Sequence, residues 1–160
     1  MKRPVLATAF LLLSCTAHAA DATLATSQGN CKVANPRPVQ DETVSWTGPC
    51  VDGRAHGAGI LEFQVGGKAS ARYKGDMQRG VLEGQGYVKV ADGTEYEGGF
   101  RDGRHHGRGI RLDMEGRYEG DWSDGKRHGT GTMKFALGGQ YEGGWKDDRF
   151  HGAARVRYAG

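Results

Sequence analysis

From Trp46 onward, apolar and polar positions alternate in short runs separated by glycine-rich turns. No run places its apolar residues at the 3.6-residue period of a helix. Tyr118, Gly120 and Trp122 fall on one face of an extended strand by alternation. Asp124-Gly125 follows. Asp-Gly between two such runs is a strong hairpin signal, because both central residues of a type I′ turn take positive φ. Asp52-Gly53 and Asp102-Gly103 hold the same place in earlier runs. Counting back from a two-residue turn at 124–125 sets Tyr118 opposite Gly131 and Gly120 opposite Gly129, so that a ring can cover bare backbone across the strand pair. The outgoing strands carry apolar pairs at Leu61/Phe63, Val88/Val90, Ile110/Leu112, Met133/Phe135 and Val156/Tyr158. The third run is one residue shorter, and its pair shifts by one to match. Val65-Gly66-Gly67, Asp92-Gly93, Glu115-Gly116 and Gly138-Gly139 supply the return turns.

The runs are copies of one another. The leading aromatics Trp46, Tyr73, Tyr96, Tyr118 and Tyr141 are 27, 23, 22 and 23 residues apart, the sequence signature of a repeat array. Glycine recurs two, seven, eleven and thirteen places after each, with Asp148 and Ala154 as exceptions in the last copy. The columns also dispose of a rival reading. Gly120 to Lys126 fits the spacing of a phosphate-binding loop, but Arg127 stands where a Ser or Thr should hold magnesium, and the loop interior carries two Asp and a Trp.

The repeated string, as in YEGDWSDGKRHGTG at 118–131, resembles the MORN repeat. Copies near 96–112, 118–135 and 141–158 match closely. The copy at 73–90 has Met77 for the second aromatic, and the one at 46–65 has Cys50 there. The resemblance implies what the pattern already predicts: an all-β, elongated, twisted antiparallel meander of about five consecutive hairpins over 44–160, with no helical domain. Ten strands about 4.8 Å apart span roughly 50 Å. The structural stripe is Trp46, Tyr73, Tyr96, Phe100, Tyr118, Trp122, Tyr141 and Trp145. The last copy ends at Arg157-Tyr158-Ala159-Gly160, leaving two outcomes: its edge pairs with a second copy or a partner, or Arg155 and Arg157 keep it solvated.

Residues 1–20 have the layout of a signal peptide: Lys2 and Arg3, the apolar run Val5–Leu13, then Ala17-His18-Ala19. This predicts a periplasmic or secreted protein. Leu12-Leu13-Ser14-Cys15 also resembles a lipoprotein box, which would make an envelope lipoprotein anchored through Cys15. Either way Cys31 and Cys50 remain, and two cysteines in an exported chain predict a disulfide that ties segment 21–43 onto the first repeat as a cap.

His56, His106, His128 and His151 share one repeat position. Equivalent positions lie two strands apart, roughly 9.6 Å, too far to share one zinc ion, so the column reads as structural. His105 and His106 face opposite sides of their strand. The formal charge is +3, and the cations Lys2 and Arg3 leave with the leader, which together with export argues against a nucleic-acid partner. Basic and acidic residues interleave, with Glu97 expected opposite Arg108. Arg104, Arg108, Lys126 and Arg127 are the candidate contacts to an anionic surface, beside tyrosines and tryptophans that could meet headgroups or sugars. No Ser–His–acid grouping stands out, and Asp147-Asp148 is a turn pair. The expectation is a non-enzymatic scaffold without cofactors that presents its sheet to another envelope protein. The alternative is binding to anionic lipid or to peptidoglycan.

Overall fold

The computed structural model describes residues 23–160 apart from 36 and 38. The expected signal peptide over 1–20 and Cys15 lie outside the described residues. Three short strands come first, β1 (Thr23–Ala25), β2 (Lys32–Ala34) and β3 (Glu42–Trp46), followed by β4 (Cys50–Val51) and β5 (Arg54–Ala55). Then come the hairpin strands: β6 (Gly57–Val65), β7 (Lys68–Gln78), β8 (Val81–Val90), β9 (Glu95–Arg101), β10 (Arg104–Asp113), β11 (Gly116–Ser123), β12 (Lys126–Phe135), β13 (Gln140–Lys146) and β14 (Arg149–Arg157). No helix occurs among the described residues. Ten strands form one antiparallel meander in the order β14 through β6, then β3, and the sheet does not close into a barrel.

The Asp-Gly turns fold as their sequence dictates. Asp102 and Gly103 take φ of +49° and +72°, and Asp124 and Gly125 take +49° and +82°. Arg79-Gly80 and Asp147-Asp148 adopt the same left-handed pair.

Beyond the turn the register departs from the simple count. Asp121 pairs with His128, but Gly120 pairs with Gly131 and Tyr118 with Met133. Gly129 and Thr130 form a bulge between them, with Gly129 at φ +60°. The Asp121 carboxylate fills the gap, accepting from the Thr130 N–H at 2.9 Å and hydroxyl at 3.0 Å. The bulge brings the glycines into a single row across the sheet: Gly59, Gly75, Gly86, Gly98, Gly109, Gly120, Gly131 and Gly143, ending at Ala154.

That row corrects two further expectations. Gly98 pairs with Gly109, so Arg111 faces Tyr96, and Ile110 and Leu112 fall on the opposite face. The missing residue of this repeat is taken up in the return turn at 114–115, not in the strand. Glu97 accordingly faces Ile110, and Arg108 meets Asp121 of the next repeat at 3.6 Å.

The first repeat keeps the register at its base, where Trp46 pairs with Leu61 as Tyr73 pairs with Val88. Its tip leaves the main sheet. β4 and β5 join β1 and β2 in a separate four-stranded sheet of order β1-β2-β5-β4. Cys31 and Cys50 are disulfide-bonded, with Cα atoms 5.7 Å apart. Val33 is fully buried, and Ala34 N–H donates to Gly80 O at 2.7 Å, so this segment lies along the tips of the first two repeats.

Candidate functional site

The core of this single-layer sheet is an aromatic stripe laid along the glycine row. Tyr73, Tyr96, Tyr118, Tyr141, Phe100, Trp122 and Trp145 are all at most 6% exposed. Each tyrosine ring runs along its own strand, and its hydroxyl donates to the carbonyl three residues on: Asp76 at 2.8 Å, Gly99 at 2.9 Å, Asp121 at 3.0 Å and Gly144 at 2.7 Å. Neighbouring rings meet edge to face. Tyr96 touches Phe100 at 5.2 Å and Trp122 at 5.4 Å, and Tyr118 touches Trp122 at 5.1 Å and Trp145 at 5.2 Å. Such pairs add about 0.5–1.5 kcal/mol each beyond the area they bury. Trp122 and Trp145 Nε1 donate to Gly109 and Gly131 O of the preceding repeat, both at 3.3 Å. Burial pushes the Tyr96 hydroxyl up to about 12, so it remains a proton donor at any physiological pH.

A second column covers the stripe. The residue directly opposite the second aromatic across the turn is Leu82 beneath Met77, His105 beneath Phe100, Arg127 beneath Trp122 and Phe150 beneath Trp145. His105 stacks on Tyr96 with centroids 3.6 Å apart, and Phe150 stacks on Tyr141 at 4.0 Å. Burial, aided by the Arg111 charge, lowers the His105 imidazole to about 4. The backbone of this column also locks the repeats together. Gly80, Gly103, Gly125 and Asp148 each donate a tip N–H to the column carbonyl of the preceding repeat, at Ala55, Leu82, His105 and Arg127, over 2.7–3.0 Å. The column mixes aliphatic, imidazole, guanidinium and aromatic side chains, so no single residue type marks it in the sequence. Strict pairing through the two-residue turn was the signal that could have found it.

Of the candidate anion contacts, Arg127 is not free. Its guanidinium lies 4.6 Å from the Trp145 centroid, its Nε sits 3.1 Å from Asp148 and its Nη1 3.3 Å from Glu115. Arg108 is paired with Asp121. Arg104 and Lys126 stand exposed at the tips, as do Arg101, Lys146 and Arg149, and none of them forms an ion pair among the described residues. Arg101 faces Arg104, and Lys146 faces Arg149, so like charges oppose one another directly.

The histidine column lies on the face away from the stripe. His128 pairs across from Asp121 and His151 from Gly144, while His106 falls in the bulge. His128 Nδ1 is 3.9 Å from Asp147, and neither it nor His106 Nδ1 has a hydrogen-bond partner among the described residues. His56 is half-buried beside the first tip, where its N–H donates to Pro49 O. Among the described residues no three His, Cys, Asp or Glu side chains gather as metal ligands. The rings that were to meet sugars or headgroups are inside the stripe. The large apolar side chains left exposed are mostly at the C-terminal repeats, where Met114, Phe135, Leu137 and Phe150 border a groove closed by Trp145 and Arg127.

These features define a single-layer array of β-hairpins, each aromatic pair resting on its own glycines and locked to the tip of the next. The family model of the MORN repeat matches residues 73–95, 96–113, 118–140 and 141–159, and the chain belongs to that family. The copy at 46–65, whose tip leaves the sheet, lies outside these four matches. No curated protein matches the chain.

Proposed function

We propose that this chain is a non-catalytic scaffold of the cell envelope, exported by its leader to the periplasm or the exterior and engaging another envelope protein through its sheet. The observation that carries this reading is where the polar chemistry is committed. The tyrosine hydroxyls, the indole N–H groups, Asp121 and Arg127 all bind the chain's own backbone or side chains. That arrangement stiffens a long surface and leaves few polar groups to converge on a substrate. Membership of the MORN family supports an interaction or membrane-binding module as the general class. Photo-crosslinking side chains placed singly at exposed Leu112, Leu137 and Arg155 in native cells test it. The scaffold reading expects a discrete protein adduct from at least one site, and no adduct from any site removes it. Intact mass without reduction separates a chain cleaved after Ala19 or Ala20 from one acylated at Cys15.

The exposed tip cations favour a second reading, contact with an anionic lipid or glycan surface. Arg104, Lys126 and Arg149 recur on alternate strands, roughly 9.6 Å apart. This reading expects co-sedimentation with anionic liposomes that is lost at high salt, or pelleting with peptidoglycan. Absence of both eliminates it.

A further inference from the structure

We propose that the outer edge of β14 is a docking site for an extended acidic segment of another protein, which joins the sheet as its eleventh strand. The inference rests on the scaffold reading and names the place and chemistry of its contact.

Among the described residues nothing pairs with β14 on the side away from β13, and all nine of its residues are exposed. The repeat ladder is open at the same place. Four column carbonyls each receive an N–H from the following tip, while among the described residues no tip donates to the equivalent carbonyl of Phe150. The Phe150 ring, 56% exposed, is the last member of the aromatic stack and offers its outer surface to a further side chain. Unpaired strand edges of this kind receive extended peptides by backbone hydrogen bonds, with alternate side chains setting specificity.

The internal strands show which side chains fit. Each incoming strand after the second repeat places Glu97, Glu119 or Glu142 against the preceding strand at the position that Arg155 holds on β14. The position of Arg157 corresponds to Lys89, which is bound by Glu95 at 2.7 Å. Between these two acids an aromatic faces the apolar position, as Tyr96 faces Val88, and Val156 is its equivalent on β14. A segment reading acid, aromatic, acid, glycine therefore sets a carboxylate against both arginines and a ring against Val156.

The chain's own edges do not serve. Every charged side chain of β14 is basic, so antiparallel pairing with a second β14 sets cations against cations, which is unfavourable. The opposite edge of the sheet, β3, is already engaged: Ser27 N–H donates to Val44 O at 2.7 Å, and Thr26 bridges Val44. The occupant is therefore a strand of different sequence, and the expectation of a homodimer through the terminal strand gives way to an acidic partner.

The test uses the whole mature chain and a synthetic peptide with the sequence of residues 94–102, TEYEGGFRD. The expected result is saturable binding that slows amide exchange along β14 and weakens with salt. Arg155→Glu together with Arg157→Glu, both exposed and free of ion pairs among the described residues, should weaken binding roughly tenfold, the sum of two exposed ion pairs. A peptide with Glu95→Lys and Glu97→Lys should bind the native chain more weakly by a similar factor and recover its affinity on the reversed one. Equal affinity for both peptides, no protection of β14, or protection that rises with protein concentration in the absence of peptide would each overturn the proposal. A cellular protein adduct that survives the double arginine reversal would overturn it too, while leaving the scaffold reading intact.

Discussion

The imidazole of His105 lies flat on the phenol ring of Tyr96, with centroids 3.6 Å apart and planes 9° from parallel. It packs against Phe100 and Trp122 as well, so protonation would place a charge inside the aromatic stripe. Burial holds its folded value at about 4, below the ordinary value of 6.5 that it regains on unfolding. Between those values the unfolded chain binds more protons than the folded one. This contribution to stability is therefore full above about pH 6.5 and is lost as pH falls toward about 4, where it levels off. The size is on the order of 3 kcal/mol. Urea unfolding at pH 7 and pH 4.5 should show His105→Phe, which copies Phe150, losing much less stability over that interval than the native chain. Equal losses would mean that His105 is not the acid-sensitive group.

One repeat further on, the same position holds Arg127 over the indole of Trp145. Arg127→Ala removes a cation–π contact worth about 0.5–2 kcal/mol along with its packing, and takes the guanidinium from Asp148, which keeps only the backbone N–H of residue 127. The expected cost is about 2 kcal/mol in urea unfolding. Arg127→Phe should recover most of it, because the neighbouring repeat packs Phe150 at this place. Arg127→Lys should not, since an ammonium lacks the planar face that stacks on the ring.

Gly131 sits under the Tyr118 ring, where an added Cβ would fall among the ring atoms and the hydroxyl. Gly131→Ala must displace a ring that also contacts Trp122 and Trp145, so a cost of about 2–3 kcal/mol is expected from overpacking. Gly125→Ala is the control. Its φ of +82° penalises a side chain by about 1 kcal/mol, yet a Cβ there meets only the Arg104 Cβ, 3.9 Å away. A Gly131→Ala cost no larger than that of Gly125→Ala in thermal unfolding would show that the ring does not depend on the bare backbone.

The meander was legible because its determinants are local. Asp-Gly fixes three of the five tip turns, and the 22–23-residue spacing of the later tyrosines fixes the order of the strands. What counting through the turn could not supply is the bulge at Gly129-Thr130. It recurs at Gly84, Gly107, Gly129 and Gly152, each at a φ between +60° and +71°. The Asp121 carboxylate braces one copy while Gly99 and Gly144 hold that place in others, so the left-handed glycine and not the side chain sets it. The placement of Ile110 and Leu112 has a different cause: this repeat loses its residue in the return turn at 114–115, so the glycine row and not the apolar spacing sets the register. The histidine column was visible by identity but lies away from the core. The column that does pack, Leu82, His105, Arg127 and Phe150, was invisible because four unlike side chains perform one task there.

The first repeat depends on its disulfide more than the others depend on any single contact. Its tip has left the main sheet, and β4 and β5 together contribute only four residues to the small sheet. Cys31 to Cys50 closes a loop over a separation of 19 residues, for which chain entropy gives about 3 kcal/mol. Cys31→Ser with Cys50→Ser should therefore expose the Val33 and Ala55 amides to rapid hydrogen exchange and raise the exchange of Gly80, whose N–H donates to Ala55 and whose carbonyl accepts from Ala34. Exchange in β11 to β13 should stay near its native rate, because each of those strands is held by its immediate neighbours. Uniform loss of protection along the sheet would instead mean that the array unfolds as one unit and that the N-terminal segment caps the whole of it.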